Sequence, residues 1–291
     1  MKELEHITVI GLGLLGGSIS LTIKRTFERT KVTGYTHRDV TRQKARNLAV
    51  ANEISDSLTK SVKNANLVIL ATPISTFESI FKNITHHLSD GCIVTDVGST
   101  KTLPTKWAIK HLPKNVHYIG SHPIAGSEQR GIEFARDDLF ERAACILTKN
   151  KNTDNKVFKT LRTFWEKLGC IIHVMTPRQH DKIFAQISHL PHIAASALIN
   201  AISQETLKYA GTGFIDTSRV ASGPPNIWTD ILMTNAENCT KAIDTIISEL
   251  NELRKAISEE NKAQIEKLLQ TAKRKRTALI NYKMKKKELI T

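Results

Sequence analysis

Length, composition and charge exclude several classes of protein at once. The chain has 291 residues, of which 40% are hydrophobic and 24% are charged, and its formal net charge is +14. These fractions are typical of globular proteins and exclude a disordered or collagen-like chain. No apolar run approaches the roughly 20 residues of a membrane helix, and no signal-peptide pattern precedes the first predicted strand. We therefore expect a cytoplasmic protein of two domains.

The cysteines indicate neither a disulfide framework nor a zinc site. There are four, far apart and without a Cys-x-x-Cys pair: Cys92, Cys145, Cys170 and Cys239. This pattern favours buried thiols in a reducing compartment and predicts no bound metal.

The first 175 residues alternate short apolar segments with helical ones. The predicted strands, rich in Val and Ile, are residues 7–10, 32–35, 67–71, 93–96, 116–119, 144–147 and 171–174. The predicted helices between them include residues 17–26, 41–49 and 155–168. Such alternation predicts an α/β domain over residues 1–176, with a doubly wound, mostly parallel sheet covered by helices on both faces.

The strand signal stops after this domain, and residues 177–291 are predicted to form an all-α domain. Residues 178–208 read as a long apolar helix, residues 209–228 as an irregular segment with Gly and Pro, and residues 235–257 as an amphipathic helix. Ser258 is the expected N-cap of a last helix. Helices around a loop-rich segment make a thin domain, so we expect a homodimer formed through the C-terminal helices.

The C-terminal tail carries half of the net charge. Residues 271–291 contain eight Lys and Arg against one Glu. A basic tail can bind nucleic acid or an anionic surface, but only Tyr282 supplies an aromatic ring among these charges. The pattern therefore favours a solvated helix end, and neither nucleic acid nor a membrane is an expected partner.

A Gly-x-Gly-x-x-Gly motif follows the first predicted strand and opens the first predicted helix. It comprises Gly11, Leu12, Gly13, Leu14, Leu15 and Gly16. The first glycine permits a tight turn, the second lets the backbone approach a pyrophosphate, and the third allows close packing of helix on strand. The motif in this context predicts a Rossmann-type dinucleotide site with the pyrophosphate at the helix N-terminus.

The end of the second strand indicates which dinucleotide binds. NAD sites usually place Asp or Glu here, where the acid would repel a 2′-phosphate. This chain has Thr36, followed by His37 and Arg38, and Asp39 lies past the usual point. The pattern favours NADP, with these three residues around the phosphate. If Arg38 merely faces solvent, either NAD or NADP fits.

Two later strand ends point to the same edge of the sheet. Thr72 and Pro73 follow one strand, and Ser99 follows the next. Because Pro73 ends its strand, Thr72 can lie over the nicotinamide ribose, while Ser99 can hydrogen-bond substrate or nicotinamide. Ordinary loop chemistry explains each of them equally well.

His122 is the predicted proton acceptor. It follows another strand and is held by Pro123. An imidazole with an ordinary pKa near ~6.5 can exchange a proton with a substrate hydroxyl. Ser127 and Glu128 lie just beyond and add polar groups. A single loop histidine is more often structural, so this interpretation depends on its neighbours.

The helical half supplies more histidines. His189 and His192 are spaced i, i+3 and fall on neighbouring positions of a helix. His180 and Asp181 can complete a metal site, but no cysteine or carboxylate motif supports zinc.

Three further residues of the helical half suggest substrate binding. Asp216 and Arg219 lie in a glycine-bearing loop, with Trp228 beyond it. Arginine can bind a carboxylate through two hydrogen bonds, and tryptophan can form the wall of an apolar ring pocket. A surface ion pair and a core tryptophan explain the same residues equally well.

Together these motifs resemble those of the prephenate/arogenate dehydrogenases of tyrosine biosynthesis. The resemblance covers nearly the whole chain, and the histidine motifs carry it more specifically than the nucleotide motif. The matching segments are residues 11–18, 71–74, 95–101, 120–128, 188–192 and 214–220.

The resemblance implies an oxidative decarboxylation. Hydride passes from the ring carbon that bears the 4-hydroxyl to the nicotinamide, while the ring carboxylate leaves as CO2. The resemblance implies that His122 takes the hydroxyl proton, that Ser99 lies near the same hydroxyl, and that Arg219 binds a substrate carboxylate. The remaining implied pocket residues are Ser127, Glu128 and His192, with Asp216 and Trp228 contributed across a dimer interface.

Departures from the family pattern leave alternatives open. Many relatives have an acid where Thr36 stands, which puts NAD in doubt and favours NADP. Some NADP-linked arogenate enzymes lack counterparts of His192 and Glu128, so prephenate is the favoured substrate and arogenate the alternative. A β-hydroxyacid-type dehydrogenase would need a catalytic lysine that has no counterpart here. A nucleotide-sensing protein that binds nucleic acid is the alternative from another class.

Overall fold

The computed structural model describes residues 4–125, 129 and 131–285. The chain divides into two compact units, residues 1–239 and 240–291. Every strand described below belongs to the first unit. The described part of the second unit, residues 240–285, is almost entirely helical.

The strands form two sheets instead of the single one expected. They are β1 His6–Ile10, β2 Lys31–Tyr35, β3 Glu53–Ser55, β4 Leu67–Leu70, β5 Ile93–Asp96, β6 His117–Tyr118, β7 Ser121–Pro123, β8 Ala144–Thr148 and β9 Ile171–Met175. Six of them form a parallel sheet of order β3-β2-β1-β4-β5-β6. The other three form a sheet of order β7-β8-β9, in which β7 runs antiparallel to β8. All seven predicted strands are present, and β3 and β7 are additional.

Helices connect these strands and make up the rest of the chain. They are α1 Leu14–Thr26, α2 Asp39–Asn47, α3 Leu58–Ser61, α4 Phe77–Ile84, α5 Thr102–His111, α6 Asn155–Lys167, α7 Pro177–Phe184, α8 Leu190–Asn200, α9 Gln204–Leu207, α10 Thr212–Ser218, α11 Pro225–Thr234, α12 Ala236–Ser258 and α13 Lys262–Lys285. A π-helical turn, Ala185–His189, joins α7 to α8.

The large sheet is buried on both faces. Along β4, Leu67 and Ile69 pack into one apolar cluster, and Val68 and Leu70 pack into another on the opposite face. Alternate side chains of a strand point to opposite faces, so a strand that is apolar throughout requires helices on both sides. This confirms the predicted α/β domain with a doubly wound, mostly parallel sheet. The chain order reverses between β1 and β4, where such sheets bind ligands.

Two expectations for the helical half were wrong. Residues 209–228 are largely helical, because they contain α10 and the start of α11. Pro225 is the first residue of α11, a position where proline supports a helix because no intrahelical partner awaits its missing N–H. Ser258 is the last residue of α12, and the side chain of Asn261 accepts a hydrogen bond from the Gln264 N–H at the start of α13.

The four cysteines are free and buried, as the sequence indicates. Within residues 4–125, 129 and 131–285, no helix combines the length and apolar character that a membrane span needs. Among these same residues, no cluster of three or more His, Cys, Asp and Glu side chains is arranged to hold a metal ion.

Candidate active site

The glycine motif forms the turn between β1 and α1. Gly11 has a φ of +98°, which favours glycine, and a Cβ on Gly16 would lie 1.8 Å from the carbonyl oxygen of Gly11. A Cβ on Gly13 would have nothing within 4 Å, and no side chain caps the first turn of α1. Open space and helix-start amides are therefore available together, which fits the pyrophosphate of a dinucleotide.

The end of β2 is organised by an arginine that sequence reasoning missed. Arg42 on α2 donates to the carbonyl oxygens of Thr36 and His37, at 3.0 Å each, and to the Asp39 carboxylate at 3.1 Å. Thr36 is buried, whereas the side chains of His37 and Arg38 are exposed. The Asp39 carboxylate is thus already hydrogen-bonded within its own helix, and the exposed side chains of His37 and Arg38 remain beside Thr36.

A cleft of about 620 Å³ lies at the carboxyl edge of the large sheet. It brings together residues predicted separately from the sequence: Gly13, Leu14, Leu15, Thr72, Pro73, Ser99, Arg219 and Trp228. The ends of parallel strands meet at one sheet edge, which explains why distant motifs converge there. Among the described residues, His122 and His192 are not part of this lining.

Helix α11 is hydrogen-bonded to two of the strand-end loops. The Asp230 carboxylate accepts from the Ser75 N–H at 3.2 Å and from the Ser75 hydroxyl at 2.5 Å. The hydroxyls of Thr100 and Thr234 lie 2.8 Å apart. Asp230 also lines the cleft, although nothing in the sequence singled it out.

His192 lies behind Trp228. The two rings stack with centroids 3.6 Å apart and an angle of 6° between their planes. The Nδ1–H of His192 donates to the Val220 carbonyl oxygen at 2.8 Å, which fixes the ring. Burial lowers the pKa of His192, and the bond to Val220 partly opposes this change. The pair therefore forms one rigid wall, with Trp228 on the cleft side.

His122 is held by His180 of α7, which is held in turn by the neighbouring Asp181. Nδ1 of His122 lies 2.8 Å from Nε2 of His180, and Nδ1 of His180 lies 2.9 Å from Oδ1 of Asp181. His180 and Asp181 are buried, and His122 is half-buried. His180 thus contacts His122 directly, and Asp181 contacts His180. The sequence shows that His180 and Asp181 are adjacent. It does not show that His180 contacts His122, 58 residues away.

Burial dominates the electrostatics of this group. It lowers the pKa of His122 well below the ordinary value, and the nearby His180, Lys101 and His189 lower it further. Burial also lowers the pKa of His180, partly opposed by the Asp181 carboxylate. For Asp181, burial acts to raise the pKa, but hydrogen bonds from His180 and Thr102 outweigh it. Near neutral pH we therefore expect neutral imidazoles beside an ionised carboxylate.

Below this group lies a fully buried ion pair. The Lys101 ammonium bonds to Oδ1 of Asp96, and both side chains are 0% exposed. The Tyr118 hydroxyl donates to Oδ2 of Asp96 at 2.6 Å, and the Gly98 N–H donates to Oδ1 at 2.7 Å. Burial followed by the Asp96 charge raises the pKa of Tyr118 well above its ordinary value. The carboxylate is thus compensated from several sides, as a buried charge requires.

The histidines predict a pH-dependent stability. Burial, the largest cause for each, lowers the pKa of His122, His180 and His189 below 6.5, to about 4 for His189. Below pH ~6.5 the unfolded chain therefore binds protons at these histidines that the folded chain does not bind. We expect the free energy of unfolding to decrease as pH falls from ~6.5 to ~4, by up to ~1.4 kcal/mol per pH unit for each histidine.

Urea unfolding at several pH values measures this slope. His189→Gln is expected to reduce it, whereas His86→Gln, at an exposed position, is expected to leave it unchanged. Equal slopes in both variants would contradict the assignment.

The other predicted residues fall in two groups. Asp216 is an exposed residue of α10, and Arg219 begins a short 3₁₀ helix, Arg219–Ser222. Both residues are therefore helical and do not lie in the loop expected. Ser127 and Glu128 lie outside the described residues.

Comparisons with known proteins cover both halves of the chain. Residues 19–174 match the family model described as prephenate dehydrogenase, nucleotide-binding domain. Residues 176–271 match the model described as prephenate dehydrogenase, dimerization domain. The prephenate dehydrogenase of Bacillus subtilis is 33% identical over 282 residues, which cover 94% of this chain and 76% of the relative. The cyclohexadienyl dehydrogenase of Zymomonas mobilis is 31% identical, with 90% and 91% covered.

Experimental structures of similar proteins agree with these matches. Prephenate dehydrogenase from A. aeolicus, in complex with hydroxyphenyl propionate and NAD+, superposes with a TM-score of 0.89 at 33% identity, covering 95% of this chain and 99% of that one. Synechocystis arogenate dehydrogenase superposes with a TM-score of 0.81 at 32% identity, covering 94% and 99%.

Proposed function

Because the chain belongs to the prephenate/arogenate dehydrogenase family of oxidoreductases, we propose that it converts prephenate to 4-hydroxyphenylpyruvate and CO2, with hydride transfer to NADP+. The observation that carries the proposal is the cleft. It joins the glycine turn of a dinucleotide site to Arg219 and Trp228, a cation and an aromatic wall suited to a ring that bears carboxylates.

The reaction needs a group that accepts one proton from the substrate and later returns it. NAD(P)+, when bound, supplies the hydride acceptor. His122 takes the proton of the 4-hydroxyl as the oxygen of that hydroxyl becomes a carbonyl oxygen. The bond to the ring carboxylate then breaks, its electron pair makes the ring aromatic, and His122 returns the proton to the oxygen. Neutral imidazole at physiological pH suits this role, and the lowered pKa of His122 keeps it neutral.

The other site residues bind and orient the substrate. Arg219 binds a carboxylate through two hydrogen bonds, and Trp228, backed by His192, covers the ring. Ser99 lines the same cleft, and its proposed role is to hydrogen-bond the hydroxyl that reacts. The presence of both His192 and Glu128 in the sequence favours prephenate over arogenate.

The surroundings of Thr36 support NADP. No acidic side chain occupies the position that normally binds the ribose hydroxyl, and Asp39 is engaged by Arg42. The exposed side chains of His37 and Arg38 are available to a 2′-phosphate. Thr72 and Pro73 line the same cleft and are proposed to contact the nicotinamide ribose.

A homodimer is the proposed assembly. Apolar side chains of the second unit remain exposed, among them Leu250 and Leu269 at 58% each. Exposed apolar positions on helices that match a dimerization domain indicate a surface covered by a second copy. Asp216 and Trp228 are proposed to lie near that interface.

A four-way activity assay tests the proposed function. Purified protein is mixed with prephenate or arogenate, each with NAD+ or NADP+, and reduced cofactor is followed by absorbance. Turnover with prephenate and NADP+ is the expected result. Turnover with arogenate alone would favour the substrate of the similar Synechocystis enzyme, and turnover with NAD+ alone would overturn the interpretation of Thr36. No turnover in any mixture, from protein that binds cofactor, would refute the reaction.

Two glycine variants separate cofactor binding from folding. Gly13→Ala places a methyl group in open space, so the melting temperature is expected to stay unchanged while affinity for NAD(P)+ drops ~10-fold or more, because the pyrophosphate loses its close approach. Gly16→Ala must displace the Gly11 carbonyl and is expected to lower the melting temperature as well. Calorimetric titration with NADP+ and thermal unfolding measure both effects. Unchanged cofactor affinity in Gly13→Ala would contradict the assigned turn.

A further inference from the structure

We infer that His180 and Asp181 are positioning residues that fix the proton of His122 on Nδ1, leaving Nε2 free to accept the substrate proton. The inference rests on the proposed function for its kinetic consequence. Its structural basis is the line of contacts from Asp181 through His180 to His122, at 2.9 and 2.8 Å.

The proton positions follow from Asp181. An ionised carboxylate only accepts hydrogen bonds, so Nδ1 of His180 must carry a proton to donate to it. In a neutral imidazole the other nitrogen is then an acceptor, which makes Nε2 of His180 accept from Nδ1–H of His122. By the same rule, Nε2 of His122 holds a lone pair. The carboxylate thus selects the tautomer of an imidazole it does not touch.

Asp181 is itself held rigidly. Oδ1 accepts from the Lys101 N–H and Oδ2 from the Thr102 N–H, both at 2.8 Å, at the start of α5. A helix N-terminus stabilises a carboxylate, which keeps Asp181 ionised. The side chain of Asn235 donates to the Asp181 carbonyl oxygen at 2.8 Å.

His180 cannot turn away from its partners. Its ring is 0% exposed and stacks on Phe184, with centroids 4.4 Å apart and planes at 19°. The ring of His122 lies 4.9 Å from the same Phe184. Packing therefore holds both imidazoles in hydrogen-bonding orientation.

Nearby charges favour or oppose the positive charge that forms when His122 gains a proton. Lys101 and His189 oppose a positive charge on this ring, while the carboxylates of Asp181 and Asp96 favour charge on the neighbouring His180. When Nε2 of His122 takes the substrate proton, Nδ1 keeps its own and still donates to His180. No proton needs to move along the line, and Asp181 remains ionised.

Two variants test the inference. In Asp181→Asn the amide N–H2 can face Nδ1 of His180 with loss of the hydrogen bond from the Lys101 N–H, reversing that tautomer and placing the proton of His122 on Nε2. The same exchange in a Ser-His-Asp triad lowers kcat ~10,000-fold through the wrong tautomer, and we expect a loss of ~1,000-fold or more here. His180→Phe removes the acceptor but keeps the stacking on Phe184, and we expect kcat to drop at least ~10-fold. In both variants KM should change less than ~3-fold.

The matched control is Asp154→Asn. Asp154 also accepts from two backbone N–H groups at a helix start, those of Lys156 and Val157, but its side chain is exposed and these hydrogen bonds are to α6 instead of to the histidine group. The Asp154→Asn substitution removes the same charge and the same kind of cap, so it reveals any general effect of losing a capping carboxylate. We expect unchanged kcat.

Tautomers are read directly from imidazole ¹⁵N spectra near neutral pH, with His122 assigned through His122→Asn. We expect Nδ1–H in the wild type and Nε2–H in Asp181→Asn. An Nε2–H tautomer in the wild type, or a variant with an unchanged tautomer and kcat, would overturn the inference. If Asp181→Asn fails to fold, His180→Phe decides with the same readouts. Because the wild-type spectrum needs no substrate, the predicted tautomer in a protein that turns over no substrate would refute the proposed function alone.

Discussion

Replacing His122 with asparagine is expected to lower kcat ~100- to 10,000-fold, because the reaction loses the group that takes the hydroxyl proton. Cofactor affinity should not change, since His122 lies on β7 and not in the turn before α1 that is proposed to bind the pyrophosphate. The wild-type rate should also persist to a pH below ~6.5, because burial lowers the pKa of His122 and the base stays neutral there. Steady-state kinetics as a function of pH, with NADP+ titrations, measure these effects.

His173→Asn is the matched control for this substitution. His173 lies on β9, in the same small sheet, but its side chain is exposed. We expect its kcat to equal that of the wild type. A His122→Asn enzyme that retains full kcat would show that the proton leaves by another route, and a loss equal in both variants would point to damage of the sheet.

Replacing Lys101 with methionine is expected to lower the free energy of unfolding by about 3–5 kcal/mol, the effect of leaving one member of a buried ion pair alone. The methionine keeps most of the apolar stem, but Asp96 loses the ammonium and retains only the hydrogen bonds from Tyr118 and Gly98. Urea unfolding measures the difference.

An exposed ion pair provides the comparison. Lys31 and Glu53 are 2.7 Å apart with side chains about half exposed. Lys31→Met should therefore change the free energy of unfolding by no more than about 1 kcal/mol. The double variant Asp96→Asn with Lys101→Met is expected to recover part of the loss, since no charge stays buried. Equal effects of the two lysine substitutions would contradict the importance of burial.

The sequence predicts those parts of the fold that have a local signature. Each Val- and Ile-rich segment forms a strand, because an apolar run is stable only between two covered faces. Strand β7, Ser121–Pro123, has no such pattern and forms through its register with β8, where His122 pairs with Ile146. Strand β3, Glu53–Ser55, is three residues long and mostly polar. Both strands form by pairing with residues that are distant in the sequence.

The same distinction applies to the site. The cleft residues were predictable, because Gly13, Thr72 and Ser99 each follow a strand and strand ends meet. The arrangement around His122 was not, since its contact with His180 depends on how α7 packs against the sheet. Nor does the sequence reveal that Lys101 lies in the interior. A lysine in a loop motif reads as a solvent-exposed charge.

The carboxylate of Asp181 bears on how such enzymes can be recombined. The stretch 174–176 is an obvious crossover point for exchanging halves between relatives, because two family models meet there. Yet Asp181 of the second half is bound by the backbone of Lys101 and Thr102 in the first half. A chimera therefore inherits a working interface only if the incoming half carries an acid at this position. Shuffled libraries should be screened for that acid before they are screened for activity.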